Sequence, residues 1–166
     1  MRSIFLIRHA EAEEAIHATN KLRSDARRRL TYAGRRDMLK GARGLTKLVD
    51  DLSLILSSPL TRATETAEII NIAFPRAEVR RLKLLEPGFD PNELFAMVTG
   101  EVGPLALVGH EPDLSQWIGY LATGSSKSPV RMKKGSICRL DMPVSAVPGE
   151  ARIAWLITLK QLMRLS

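Results

Sequence analysis

Three short segments of mainly aliphatic residues, separated by polar loops and amphipathic stretches, constrain the possible folds of this chain more than any other feature. They span residues 3–8, 52–56 and 105–109. Apolar runs of this length without polar alternation are typical of strands that are covered on both faces of a parallel sheet. Residues 77–84 predict a weaker strand, and residues 136–141 and 152–158 predict two more around a Pro/Gly-containing turn.

Helical patterns lie between these strands. Thr31 is a suitable N-cap, and Met38, Ala42, Leu45 and Val49 follow it at spacings of three or four residues, which predicts an amphipathic helix. Further helices are predicted at 60–70, at 91–99 after the capping sequence Asp-Pro-Asn-Glu, from residue 112 or 113 to 121, and as a last turn at 159–164.

The alternation of strands and helices predicts an α/β fold. We expect a three-layer sandwich with a mostly parallel sheet of about five to six strands, one of them antiparallel, and helices on both faces. No linker or internal repeat interrupts the pattern, so residues 1–166 are predicted to form a single domain.

Composition excludes several classes of protein. The single cysteine, Cys138, cannot form a disulfide framework or a cysteine metal cluster. No apolar run approaches the roughly 20 residues of a membrane-spanning helix, and the N-terminus lacks the pattern of a signal peptide, so a cytoplasmic location is expected. Aromatic residues make up only 5% of the chain, which counts against stacking surfaces for single-stranded nucleic acid.

The positive charge is concentrated in one segment. The chain has 25 Lys and Arg against 18 Asp and Glu, a net charge of +7, and residues 21–43 contain nine basic and two acidic residues. This basic segment alone therefore accounts for the excess. Its basic residues are Lys21, Arg23, Arg27, Arg28, Arg29, Arg35, Arg36, Lys40 and Arg43. Such a run is ordinarily a solvated surface, but it could also attract an anionic partner to a nearby site.

Chemically versatile residues follow several of the predicted strands. Arg8 and His9 follow the first, the sequence Ser-Ser-Pro at 57–59 follows the second with Arg62 shortly after it, Glu86 follows the third and His110 follows the fourth. Ligands bind at the carboxyl ends of parallel strands, so we expect these side chains to meet at one edge of the sheet.

This set of residues suits phosphoryl transfer. A neutral imidazole is a good nucleophile near pH 7, and the planar forks of arginine match the oxygens of a phosphoryl group. One histidine can attack while the arginines and the second histidine hold the oxygens, which makes a complete site without a metal. Each residue alone has an ordinary structural explanation; their joint placement carries the prediction.

The sequence resembles the histidine phosphatase superfamily, also called phosphoglycerate mutase-like. The residues around Arg8-His9 resemble its Arg-His-Gly signature, residues 57–67 (SSPLTRATETA) its second motif, and residues 108–112 (VGHEP) its late Gly-His motif. The short chain, Ala10 in place of the signature glycine, and residues 28–34, which are similar to an R-P-L-T-x-x-G segment, resemble the SixA-type phosphohistidine phosphatases.

The resemblance implies roles for individual residues. His9 would become phosphorylated, Arg8, Arg62 and His110 would bind the phosphoryl group, and Arg28 would reach the same phosphate or the substrate. Glu86 is the local candidate for a substrate-binding residue or a general acid. No metal and no other cofactor is implied.

These features predict a phosphatase that acts on phosphohistidine in a protein such as a phosphotransfer domain and releases inorganic phosphate. An imidazole leaving group needs little help from an acid, which fits the lack of a strong acid candidate. The alternative is a phosphatase of a small phosphoester. A non-catalytic phosphate-binding module is disfavoured because the histidine and arginine set is complete, and nucleic-acid binding lacks a recognisable motif. We expect no membrane partner and favour a monomer, although the sequence does not determine the oligomeric state.

Overall fold

The computed structural model describes residues 1–15 and 25–166. His17, which the sequence leaves as a minor substrate-contact candidate, and the basic residues Lys21 and Arg23 lie outside the described residues. The strands are β1 (Arg2–Arg8), β2 (Leu54–Ser57), β3 (Glu78–Arg81), β4 (Leu105–Gly109), β5 (Ile137–Met142) and β6 (Arg152–Ile157). The helices are α1 (Tyr32–Leu45), α2 (Thr61–Ala73), α3 (Pro91–Thr99), α4 (Asp113–Thr123) and α5 (Leu159–Leu162), with a 3₁₀ turn at Lys83–Leu85.

The six strands form one sheet in the order β3-β2-β4-β1-β5-β6. β1 pairs in parallel with β4, and β2 pairs in parallel with both β4 and β3. β5 runs antiparallel to both of its neighbours, β1 and β6, so it is the one strand of opposite direction. The predicted α/β sheet with one antiparallel strand is confirmed.

Helices cover both faces of the sheet because the central strands are apolar on both sides. Phe5 and Ile7 of β1 pack in one core cluster with buried residues of α1, α2 and α5. Ile4 and Leu6, which point the other way, pack in a second cluster with α3 and α4. The sheet is therefore buried between two helical layers, as predicted.

Two of the predicted helix starts have side-chain caps in the structure. The Thr31 side chain accepts a hydrogen bond from the Gly34 amide at the start of α1. Asp90 caps α3 by accepting from the amides of Asn92 and Glu93. Among the described residues, every helix is too short or too polar to cross a bilayer.

Candidate active site

The register of the parallel strands brings three candidate residues to one edge of the sheet. Arg8 at the end of β1 is paired with Gly109 at the end of β4, so His9 and His110 leave the sheet at the same level. Ser58 follows β2 one strand further on, and its amide donates to the Val108 carbonyl at 2.9 Å. The His9 and His110 rings lie with their centroids 5.3 Å apart.

His9 is buried and held as a neutral imidazole whose unprotonated nitrogen faces Arg62. Its Nδ1 lies 2.7 Å from the carbonyl oxygen of Ala10, which can only accept, so Nδ1 carries the proton. Its Nε2 accepts a hydrogen bond from Arg62 Nε at 3.3 Å. Burial, aided by the nearby guanidinium groups, lowers the pKa of His9 to about 4. His9 therefore presents an unprotonated nitrogen to the cluster at neutral pH.

His110 is oriented by a serine of the second motif. Its Nε2 lies 2.8 Å from the Ser58 hydroxyl, and burial, followed by the positive charge of Arg62, lowers the pKa of His110 to about 3. Two buried nitrogen atoms of the cluster, His110 Nδ1 and Arg8 Nε, have no hydrogen-bond partner among the described residues. Buried polar atoms are nearly always paired in folded proteins, so these two are available to bind a ligand.

Three arginines surround the histidines. Arg62, in the first turn of α2, is buried. The guanidinium groups of Arg62 and Arg28 both pair with the carboxylate of Asp25. Arg8 donates through Nη1 to the Met132 carbonyl at 2.9 Å. Burial lowers the pKa values of Arg8 and Arg62 below their ordinary range, but both remain guanidinium ions at neutral pH. The cluster is thus strongly electropositive and suited to an anion.

The loop that carries His9 is tied down by three other segments. The Ala10 amide donates to Thr66 Oγ1 of α2 at 3.1 Å, and the Glu11 carbonyl accepts from the Thr31 amide at 3.0 Å. The Gly135 amide lies 3.1 Å from the carbonyl oxygens of both Arg8 and His9. These bonds give a structural role to Thr31 and Thr66, which the sequence analysis could only match as parts of motifs.

Two acidic residues of the site were not predicted. Glu65 is buried in α2, accepts from the Leu30 amide at 2.7 Å, and pairs with Arg29 and Arg35. Asp25 bridges two of the arginines around His9. The only sequence signal for Asp25 was its position three residues before Arg28, a spacing that allows a local ion pair.

Glu86 takes no part in the hydrogen bonds of the cluster among the described residues. It follows the 3₁₀ turn, is half-buried, and its carboxylate makes no hydrogen bond within residues 1–15 and 25–166. The same loop is fixed to α4, because the Gly88 amide donates to Asp113 Oδ2 at 3.0 Å. Glu86 is therefore carried by a loop that adjoins the helix following His110.

In the described part of the basic segment, some of the basic side chains form ion pairs and others do not. Arg29 and Arg35 bind Glu65, and Arg28 binds Asp25. Arg27 and Lys40 are exposed and make no ion pair among the described residues.

Within those same residues, no group of three or more His, Cys, Asp and Glu side chains lies close enough together to hold a metal ion.

Comparison with known proteins identifies the family. The model of the histidine phosphatase superfamily (branch 1) matches residues 4–86, half of the chain, and the chain belongs to this superfamily. An uncharacterized protein of Picosynechococcus sp. is 32% identical over 142 residues, which cover 82% of this chain and 83% of that protein.

Solved structures share the whole fold. The protein histidine phosphatase SixA in complex with tungstate matches with a TM-score of 0.82 and 21% identity, over 96% of this chain and 99% of that one. A phosphoserine phosphatase from Entamoeba histolytica in complex with 3-phosphoglyceric acid matches with a TM-score of 0.69 and 18% identity, over 98% of this chain and all of that one. The fold is that of SixA, and membership of the superfamily supports phosphatase activity.

Proposed function

We propose that this protein is a metal-independent phosphatase that uses His9 as its nucleophile and acts on phosphohistidine in a protein substrate. The observation that carries the proposal is the hydrogen bond from Arg62 Nε to His9 Nε2, together with the bond that keeps the proton on Nδ1. A neutral nitrogen lone pair thus lies directly beside a guanidinium group. When the oxygens of an arriving phosphoryl group take over the Arg62 donor, this lone pair is released beside the phosphorus atom that it attacks.

The reaction has two phosphoryl transfers. In the first, the substrate imidazole carries a proton from solvent on its other ring nitrogen, a bond forms between His9 Nε2 and phosphorus, and the bond from phosphorus to the substrate imidazole breaks, so the imidazole leaves as a neutral ring. In the second, water attacks phosphorus and gives up a proton to solvent, the bond to Nε2 breaks with its electron pair returning to Nε2, and inorganic phosphate leaves with His9 restored. Arg8, Arg62 and His110 would bind the phosphoryl oxygens in both steps, since the unpaired Arg8 Nε and His110 Nδ1 retain hydrogen-bonding capacity.

The leaving group favours phosphohistidine over an ester. An imidazole has a pKa near 6.5 and departs readily, whereas an alkoxide needs a proton from an acid, a contribution worth about 10²–10⁴-fold. Glu86, the acid candidate of the sequence, makes no hydrogen bond to His9, Arg62 or His110 in the part of the chain that is described. The match to SixA supports the same substrate class, whereas the match to a phosphoserine phosphatase keeps a small phosphoester as the alternative.

Arg28 and Glu86 are proposed as substrate-binding residues. The Arg28 guanidinium lies next to Arg62 through their shared carboxylate, so it can reach a phosphoryl oxygen or a group close to it. Glu86 would contact the substrate beyond the phosphoryl group. Exposed cations of the basic segment, Arg27 and Lys40 among them, would draw in an acidic protein surface.

The test compares substrates and variants in the presence of EDTA. Wild-type protein should release phosphate from a phosphohistidine-containing phosphotransfer domain with a higher kcat/KM than from small phosphoesters. His9→Ala should lower that rate by about 10³-fold or more, because the nucleophile is lost. Rapid quenching at high pH followed by mass spectrometry should find acid-labile phosphate on His9.

A second variant separates chemistry from structure. His9→Asn keeps an amide that can donate to the Ala10 carbonyl but has no Nε2, so it should remain folded and be as inactive as His9→Ala. Activity that survives both substitutions, or that EDTA abolishes in the wild type, would rule out the mechanism. Faster hydrolysis of small phosphoesters would instead assign the protein to the alternative substrate class.

Glu86→Gln tests whether Glu86 binds substrate or acts as a general acid. If Glu86 binds substrate, KM changes while kcat is preserved. A large fall in kcat for esters alone would make Glu86 a general acid.

A further inference from the structure

Asp25 occupies the arginine donors that a phosphoryl group needs. Arg62 Nη1 donates to the Asp25 backbone carbonyl at 2.9 Å, and Arg62 Nη2 donates to the Asp25 carboxylate at 3.3 Å. Arg28 donates to the other carboxylate oxygen through Nε at 2.9 Å and Nη2 at 2.8 Å. Since Arg62 Nε is engaged with His9, each nitrogen of the Arg62 guanidinium already has a partner before any ligand arrives.

The carboxylate is charged and acts on the whole cluster. Although burial opposes ionisation, Arg62 and Arg28 hold the pKa of Asp25 below its ordinary value. The same negative charge raises the pKa of His110, against the stronger lowering effects at that residue, so the carboxylate is close enough to interact with both sides of the pocket. A phosphoryl dianion in this pocket would therefore be repelled by Asp25 as well as attracted by the arginines.

The carboxylate contact with Arg62 is the longest of the contacts between Asp25 and the two arginines. A charge-assisted N–H···O bond is ordinarily about 2.7–2.9 Å long, and the contact from Nη2 at 3.3 Å exceeds this. The Asp25 side chain is 39% exposed, so its carboxylate can leave Arg62 for solvent without disturbing the core. The backbone carbonyl of Asp25 can meanwhile keep its own bond to Arg62.

We propose that Asp25 is a resident counter-anion that competes with phosphoryl groups for Arg62 and Arg28 and thereby weakens the binding of inorganic phosphate. This inference rests on the proposed function, in which phosphate is the product. An electropositive pocket with unopposed arginines would retain its product. A carboxylate that returns to Arg62 favours release of phosphate and frees His9 for the next substrate.

The experiment measures phosphate affinity in matched variants. Asp25→Asn retains the shape of the side chain and removes its charge, and Asp37→Asn removes the same charge from an exposed pair with Arg36 on α1, outside the pocket. Inorganic phosphate should bind Asp25→Asn about three- to fivefold more tightly by calorimetry, the order expected for losing one partly exposed ion pair, and Asp37→Asn should match the wild type. The inhibition constant for phosphate should fall by the same factor.

The other outcomes separate this inference from the proposed function. Equal or weaker phosphate binding by a folded Asp25→Asn would overturn the competition, and a loss of kcat with unchanged phosphate binding would make Asp25 a positioning residue for Arg62 instead. If Asp37→Asn gained the same affinity for phosphate, the effect would come from net charge alone, and the inference would be overturned as well. Phosphate binding does not need the nucleophile, so an active His9→Ala would refute the proposed mechanism and leave this result standing. No binding by any variant would refute both.

Discussion

Replacing Gly34 with alanine should damage both the stability and the activity of the protein. Gly34 is buried in the first turn of α1, and a Cβ there would overlap the Glu11 carbonyl oxygen, with the carbonyl carbon at 3.0 Å and the Glu11 Cβ at 3.1 Å. That carbonyl accepts the Thr31 amide bond and lies two residues after His9. The helix and the His9 loop must therefore move apart.

The expected cost follows from two opposing terms. Overpacking against backbone costs about 1–3 kcal/mol, and replacing a helical glycine with alanine recovers about 1 kcal/mol. The net loss of up to about 2 kcal/mol corresponds to a fall in Tm of up to about 4–8 °C for a chain of this size. Displacement of His9 by a fraction of an ångström to one ångström should lower kcat/KM by about 10- to 100-fold.

Two further glycines provide matched controls. Gly44→Ala would overlap the Leu162 backbone on the far part of α1, with the carbonyl carbon at 2.8 Å, so it should lose similar stability but keep kcat/KM below its Tm. In Gly100→Ala the Cβ would meet the Met97 and Ala96 carbonyl oxygens at ordinary distances of 3.4 and 4.0 Å, so the change should affect neither quantity. Thermal unfolding and steady-state kinetics measure both. Wild-type kcat/KM in Gly34→Ala, or an equal loss in Gly44→Ala, would show that the contact does not position His9.

Three other predictions concern the charges and hydrogen bonds of the site. The pKa values of His9 and His110 lie near 4 and 3, below the ordinary 6.5, so these histidines bind protons in the unfolded chain before they do in the folded one as pH falls from 6.5 toward 4. The free energy of unfolding should therefore drop by about 1–2 kcal/mol per histidine by pH 5. Urea denaturation at pH 7.5 and at pH 5 would test this. Ser58→Ala removes the partner of His110 Nε2 and should lower kcat/KM by about tenfold; an unchanged rate would exclude a positioning role. Arg27→Glu with Lys40→Glu should flatten the salt dependence of kcat/KM for an acidic protein substrate, and an unaltered slope would remove the basic segment from substrate capture.

The strands that define the sheet could be predicted because both of their faces are buried. β1 and β4 lie in the central part of the sheet and contact both core clusters, so their apolar runs have no polar interruption. Boundaries were less accurate: Leu52 was assigned to a strand but precedes β2, because it is buried by the core without joining the sheet. All four residues of the edge strand β3 are exposed, which explains its weak pattern.

Arg8, His9, Arg62 and His110 could be placed together because each lies at or shortly after the end of a strand whose direction and neighbours determine its position. Arg28 follows no strand directly and was suggested only by the family resemblance. Asp25 and Glu65 could not be predicted in the same way. Arg62 is 37 residues from Asp25, and the Leu30 amide is 35 residues from Glu65, so neither role has a local pattern. Both depend on how the segment before α1 folds over α2, which single-sequence periodicity does not describe.

The bonds that hold the His9 loop have a thermodynamic consequence. Ala10, Glu11 and the carbonyls of Arg8 and His9 are fixed by Thr66, by Thr31 and by Gly135, segments far apart in the sequence. Ordering a loop of several residues costs about 1–2 kcal/mol per residue in conformational entropy. Here that entropy is lost once, when the chain folds, so an arriving anion meets a backbone that is already ordered. Binding of the anion therefore does not have to offset the entropy of ordering the loop.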